Sequence, residues 1–203
     1  MKISRMEKID FAKTYKELYS ATRHIKEVAA DKAAFLTIKG VGTPGGPEFT
    51  DCIGKLFALV YATKFSLKFA GKLDFAVSKL ECLWWEDPAK LPPEKWPWQL
   101  LIRIPDGVSE IDLKKSREDI LSKKGIDSSA VKRWVWKEGP CLQVMHIGPY
   151  NEVAPVYQAL AKHAEAAGLR AIAPGHEIYI SDPRRVPPER LKTIIRMPVK
   201  KKK

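Results

Sequence analysis

"DPRRVPPER", residues 182–190, decides how this 203-residue chain is read, because it has already occurred as "DPAKLPPEK", residues 87–95. The offset is a constant 95 residues, and the similarity spreads outward from both copies. Each copy leads into a β-rich run ending Arg-x-Pro, "LLIRIP" (100–105) and "TIIRMP" (193–198). Each is preceded by a strand-like run starting with glutamate, "ECLWW" from Glu81 and "EIYIS" from Glu177. Further upstream, Phe49, Cys52, Ile53, Leu56, Phe57 and Val60 form one apolar stripe, and Val153, Val156, Tyr157, Leu160, Ala161 and Ala164 form another. Both follow the spacing of a helix that buries one face. Each helix is entered from an apolar strand through a Gly/Pro turn, "FLTIKGVGTPGGP" (35–47) and "CLQVMHIGP" (141–149).

A strand–helix–strand–strand unit used twice follows from this pattern, with halves at about 31–105 and 139–199. Only a short spacer separates the second and third strands of each unit, so hairpins rather than parallel crossovers join them. The expected fold class is therefore α+β: a pseudo-twofold antiparallel sheet, helices on one side, and a central cleft where the halves meet. The whole of 1–203 is read as one domain. The link 106–138 carries a helix starting near Ile111, capped by Ser109 or Asp112. Another helix is expected over about 10–22.

Composition narrows the function. Hydrophobic content of 45% with 30% charged residues fits a globular protein. The net charge of +12 is high, but four of the cations are the terminal Lys200–Lys203, read as a solvated tail. No basic recognition helix, zinc-finger spacing or RNA-binding signature accompanies the charge, so no specific nucleic-acid partner is expected. The longest apolar stretch is broken by Lys55, Lys64 and Lys68, so no membrane span is expected either. Three scattered cysteines, with no CxxC pair and no apolar leader, point to a reducing cytoplasm. No metal-ligand spacing and no GxSxG nucleophile motif is present, and no cofactor is expected.

Strand alternation puts Glu177, Tyr179 and Ser181 on one face of their strand and His176, Ile178 and Ile180 on the other. A carboxylate in an apolar seam has a raised pKa and suits either a ligand cation or general acid–base work. Glu81 holds the matching place in the first half, so the two acids are expected to share the seam. Trp84 and Trp85 are adjacent and point to opposite faces. One is core, and the other is free to stack on a planar ligand. Tyr150, in "HIGPYNE", is a lining candidate. His146 is carried as another, although isolated strand histidines are more often hydrogen-bonded structural groups.

Together "KIDFAKTYKELYS", "FLTIKG", "YATKFSLK", "LECLWWEDP", "HIGPYNE", "HEIYISDP" and "IIRMPV" cover nearly the whole chain and resemble the GyrI-like small-molecule-binding family. The likeness is to its stand-alone branch, related to the effector-binding domains of BmrR-type regulators. The resemblance implies a seam that takes bulky aromatic or cationic compounds around a central glutamate, here Glu177, with Tyr179, Trp84 and Trp85 at aromatic positions. Cys82 departs from the glycine expected after the first-half glutamate. Some stand-alone members hydrolyse cyclopropane-bearing alkylating agents. In a hydrolase of that kind Glu177 would take a proton from water, and Tyr179 would orient the water or donate to the leaving oxygen. The alternative is a non-enzymatic protein-interaction module, such as an inhibitor of a DNA-topology enzyme. Nothing in the pattern fixes an oligomeric state.

Overall fold

Runs of small, apolar and β-branched residues bounded by Gly and Pro become strands, and the apolar stripes become helices, in a computed structural model describing residues 7–86 and 90–202. In chain order the elements are β1 (Lys8–Ile9), α1 (Phe11–Thr14), α2 (Lys16–Tyr19), β2 (Lys26–Ala30), β3 (Ala33–Val41), α3 (Pro47–Phe69), β4 (Asp74–Phe75) and β5 (Leu80–Trp84). They continue with β6 (Pro97–Ile104), α4 (Glu110–Lys124), β7 (Lys132–Trp136), β8 (Gly139–Ile147), α5 (Ala154–Ala166), β9 (Leu169–Ala171), β10 (Gly175–Tyr179) and β11 (Lys192–Lys201). Residues 87–89, the start of the first repeat copy, and Lys203 lie outside the described residues.

The large sheet has the order β2-β8-β11-β10-β5-β6-β3-β7, with β9 added against the end of β11. Its pairings are antiparallel throughout. The inner six strands read the same from either end: β8-β11-β10 comes from one half of the chain and β5-β6-β3 from the other. The element order β3-α3-β5-β6 recurs as β8-α5-β10-β11. β5 and β10 meet at the centre. The molecule is thus a mixed α+β protein built on a large antiparallel sheet.

α3 and α5 lie on the same face of this sheet. α3 buries Phe49, Cys52, Leu56, Leu59 and Val60 over Leu36, Ile38, Leu100 and Ile102. α5 sets Leu160 and Ala164 over Leu142, Val144, Ile195 and Met197. Each buried Leu or Ile contributes about 1.5–3 kcal/mol relative to exposure, so these two clusters hold the helices in place. α4 begins at Ser109, whose hydroxyl accepts from the Asp112 amide while the Asp112 carboxylate accepts from the Ser109 amide. Its Leu113 and Ile120 extend the α3 core.

Two expectations are corrected. The N-terminal helix breaks into two single turns at Tyr15, whose backbone is not helical, and they cover the opposite face of the sheet, with Leu18 against Val28, Ala30 and Cys141. Helices therefore flank both faces. The terminal lysines are not a free tail. The backbone of Lys200 and Lys201 completes β11 against Arg170 and Leu169, and Lys202 bonds Glu165 at 2.9 Å, while all three side chains stay exposed. Among the described residues no helix is long and apolar enough to cross a membrane.

Candidate functional site

Register at the sheet centre settles which side chains meet. Glu177 sits opposite Cys82 on one side and Ile195 on the other, whereas Glu81 sits opposite Ile178. Residues directly opposite in an antiparallel pair share a face. Glu177 and Tyr179 therefore point to the α3/α5 face with Cys82 and Trp84, and Glu81 points to the other. The expectation that the two glutamates share a seam is corrected. Ile102 and Ile195 match within the Arg-x-Pro strands, Leu80 pairs with Ile102, and Glu177 pairs with Ile195. The counterpart of Glu177 is thus Leu80, and Glu81 is one residue out of step. A one-residue slip transfers a side chain to the opposite face.

On the α3/α5 face Glu177 is buried, 5% exposed, beneath aromatic groups. The Tyr179 hydroxyl donates to its Oε2 at 3.0 Å, and the Tyr157 hydroxyl from α5 donates to Oε1 at 3.4 Å. Tyr150, in the 3-10 turn 150–152, meets Tyr179 edge-on with ring centroids 5.3 Å apart. Trp84 packs edge-on against Trp96 and is 8% exposed. Its buried Nε1 has no hydrogen-bond partner, yet lies close enough to Glu177 to favour the ionised carboxylate. Burial pushes Glu177 up to about 7, and the donors Tyr179, Trp84 and Tyr157 hold it from rising further. Among the described residues Glu177 makes no ion pair. Expected to line a central cleft, Glu177 is instead buried among these rings.

His146 belongs to the same face, opposite Thr193, which in turn opposes Tyr179. Its Nε2 lies 3.0 Å from the Pro149 carbonyl oxygen and secures the turn that presents Tyr150. The Thr193 hydroxyl beside it is buried without a partner. Trp85 does not join the group. It faces the other side, 37% exposed, where its Nε1 donates to Gln99 at 3.1 Å.

Glu81 forms part of a second buried cluster. Its Oε2 lies 2.9 Å from His176 Nε2, and His176 Nδ1 lies 3.0 Å from Glu138 Oε1. Glu138 also accepts from Arg196 at 2.9 Å, and the Tyr19 hydroxyl donates to Glu81 at 2.9 Å. Burial works against the charge on His176, but Glu138 and Glu81 raise it to about 9. Burial likewise works against Glu138, but His176 and Arg196 bring it down to about 2. This is a matched charge network whose members satisfy one another.

Tyr157 was missed as a site residue because its helical spacing reads as core; a tyrosine on the sheet-facing stripe of a helix was the available signal. Gly175 was missed too. A Cβ there would come within 3.0 Å of the Tyr157 ring, so the glycine is what lets that ring lie over Glu177.

The fold recurs in known structures. An uncharacterized conserved protein from Listeria innocua is 36% identical with a TM-score of 0.88, and the match covers 95% of this chain and 100% of that one. A hydrolase from Listeria innocua is 36% identical with a TM-score of 0.87, covering 96% and 100%. The EcmrR C-terminal domain shares the fold at 13% identity and a TM-score of 0.59, covering 88% and 97%. No curated protein matches the chain. The GyrI-like small molecule binding domain matches residues 23–200; the chain belongs to that family.

Proposed function

We propose that the protein binds bulky aromatic or cationic small molecules over Glu177 and hydrolyses those that carry a strained electrophile, such as a cyclopropane. One observation carries this reading: a buried carboxylate with its pKa at about 7 and no ion-pair partner among the described residues, surrounded by aromatic rings. An ionised carboxylate in so apolar a place is costly without a cation or a proton. A ligand cation supplies the first. A water molecule placed against the electrophile supplies the second, with Glu177 as general base at a pKa matched to neutral pH. Tyr179 orients that water or donates to the leaving oxygen, and the rings of Trp84, Tyr150 and Tyr157 hold the planar body. The Listeria innocua hydrolase of the same fold supports turnover rather than binding alone.

Tryptophan fluorescence tests the binding half, with ethidium as a planar aromatic cation. The wild type should show saturable quenching, and Glu177→Gln should weaken it at least tenfold while melting cooperatively, at or above the wild-type temperature. Mass spectrometry of a cyclopropane-bearing alkylating agent after incubation tests the hydrolytic half. The wild type should convert it to the water adduct, and Glu177→Gln should not. Equal behaviour of the two proteins in both assays would remove Glu177 from the site.

A further inference from the structure

The solvent side of α3 is not what a solvent side should be. Phe57, Tyr61, Phe65 and Phe69 follow one another at i, i+4 spacing, with successive ring centroids 6.2, 6.3 and 5.9 Å apart. Phe57 is partly buried against the core, but Tyr61 is 46% exposed, Phe65 43% and Phe69 82%. The opposite face of the same helix is packed on the sheet with Phe49, Leu56, Leu59, Val60 and Leu67. A helix that is apolar all round belongs in an interior, and a contiguous exposed aromatic patch marks an interaction surface. The ladder takes no part in the Glu177 site as described above.

We infer that α3 is the interface of a homodimer, pairing antiparallel with α3 of a second copy about a twofold axis near Ala58. Three features select a second copy as the occupant. Ala58 is the midpoint of the helix, and Gly54, where an added Cβ would meet nothing, lies one turn before it. The exposed rings, Tyr61, Phe65 and Phe69, lie in the half after it, so antiparallel pairing seats Tyr61 of each copy in the gap above Gly54 of the other. Charge is divided the same way. The N-terminal half bears Glu48 and Asp51, both exposed, and the C-terminal end bears Lys68 and Lys72, also exposed. Antiparallel pairing brings each acidic end to the partner's basic end and opposes the two helix dipoles. In their own chain Asp51 pairs with Lys55 at 2.7 Å, Lys68 with the buried Asp74 at 3.5 Å and Lys72 with Asp112 at 3.6 Å; each pair has an exposed member and is readily exchanged. The net charge of +12 opposes association. Spread over the whole surface, however, it is screened beyond about 8 Å at physiological salt, so the charges at the contact decide.

Sedimentation equilibrium with crosslinking tests the arrangement. Wild type should sediment at twice the monomer mass at micromolar concentration. Phe65→Glu should weaken association at least 100-fold while its thermal melt stays that of a folded protein. Asp51→Lys should dissociate the dimer, and adding Lys68→Asp to it should restore the dimer. All three native cysteines are buried and Tyr61 is exposed, so a thiol placed at position 61 is the only one at the surface. Tyr61→Cys should therefore be joined across the dimer by a short bismaleimide, because antiparallel pairing places the two copies of position 61 about 9 Å apart along the helix axes. Phe69→Cys should not, because antiparallel pairing places the two copies of position 69 about 33 Å apart. A monomeric wild type, whether or not it binds aromatic ligands or anionic vesicles, overturns the inference. So does a dimer that survives Phe65→Glu, or crosslinking at position 69 in place of 61.

Discussion

His176 and Glu177 are consecutive residues of β10 that face opposite sides of the sheet, and both hold a proton to a higher pH than usual for opposite reasons. His176 is gripped by two carboxylates and its pKa rises to about 9. Glu177 is buried under rings and its pKa rises to about 7. The His176 cation also tempers Glu177, since its charge is among the influences that lower it. One strand thereby joins a charged structural cluster to an acid of adjustable protonation.

The pH dependence of stability follows, with the sign set by each group. An acid whose folded pKa is raised binds more protons in the native state, so its penalty is absent below the unfolded value and grows as pH rises to the folded one. For Glu177 that window runs from 4.5 to about 7, and the shift corresponds to about 3 kcal/mol. Glu177→Gln should therefore be more stable than wild type at pH 8 and no more stable at pH 4.5. Urea denaturation at the two pH values checks this; equal pH profiles would show that the carboxylate is not desolvated.

For His176 the sign reverses. A base with a raised folded pKa stabilises fully below its unfolded value of 6.5, and that contribution is lost as pH rises through about 9. His176→Gln leaves Glu81 and Glu138 buried with less compensation, and removing one partner of a buried pair costs about 3–5 kcal/mol. The variant should be destabilised by that order at pH 6 and much less at pH 10. It should also shift the apparent pKa of ethidium binding upward, because Glu177 loses a neighbouring cation. Unchanged binding with lowered stability would confine His176 to a structural role.

Gly175→Ala separates the placement of Tyr157 from the charge of Glu177. The added methyl would lie 3.0 Å from Tyr157 Cε1 and 3.1 Å from its hydroxyl, so the ring must tilt. Overpacking of this kind costs about 1–3 kcal/mol. Ligand affinity should change at least fivefold, with the pH profile of stability shifted by altered cover over Glu177. Titration calorimetry and a melt series read the two effects.

The architecture was legible because its signals repeat. The Asp-Pro, Pro-Pro-Glu and Arg-x-Pro motifs and the helical stripes all recur, so errors in one copy are checked by the other. Alternation placed Glu177 with Tyr179 and against His176 correctly, since that needs only one regular strand. Placing Glu81 needed the register between strands, which depends on the spacers before "LLIRIP" and "TIIRMP". These differ, and a slip of one residue was enough to reverse the face. Tyr157 escaped because an amphipathic stripe does not distinguish a core tyrosine from one aimed at a buried acid. Glu138 lies in the link between the halves, where the repeat offers no comparison. The terminal lysines were misread because like charges in sequence say nothing of the backbone, which here satisfies its hydrogen bonds against β9.

That last correction carries its own prediction. Lys200 and Lys201 pair with Arg170 and Leu169, the Lys202 amide donates to the Gly168 carbonyl at 3.0 Å, and the Lys202 ammonium lies 2.9 Å from Glu165. The ion pair is exposed and contributes little. The backbone bonds hold β9, and β9 packs against α5, the helix that supplies Tyr157. Deleting 200–203 should lower stability by about 1–3 kcal/mol, from two or three net backbone hydrogen bonds at about 1 kcal/mol each. Replacing all four lysines with serine keeps the backbone and removes the charge, so it should leave stability within about 0.5 kcal/mol, as surface changes usually do. Hydrogen exchange should show faster exchange at 169–171 in the deletion and not in the serine variant. Equal exchange in the two would mean that β9 stands without its partner strand, and that the end of the chain is dispensable to α5.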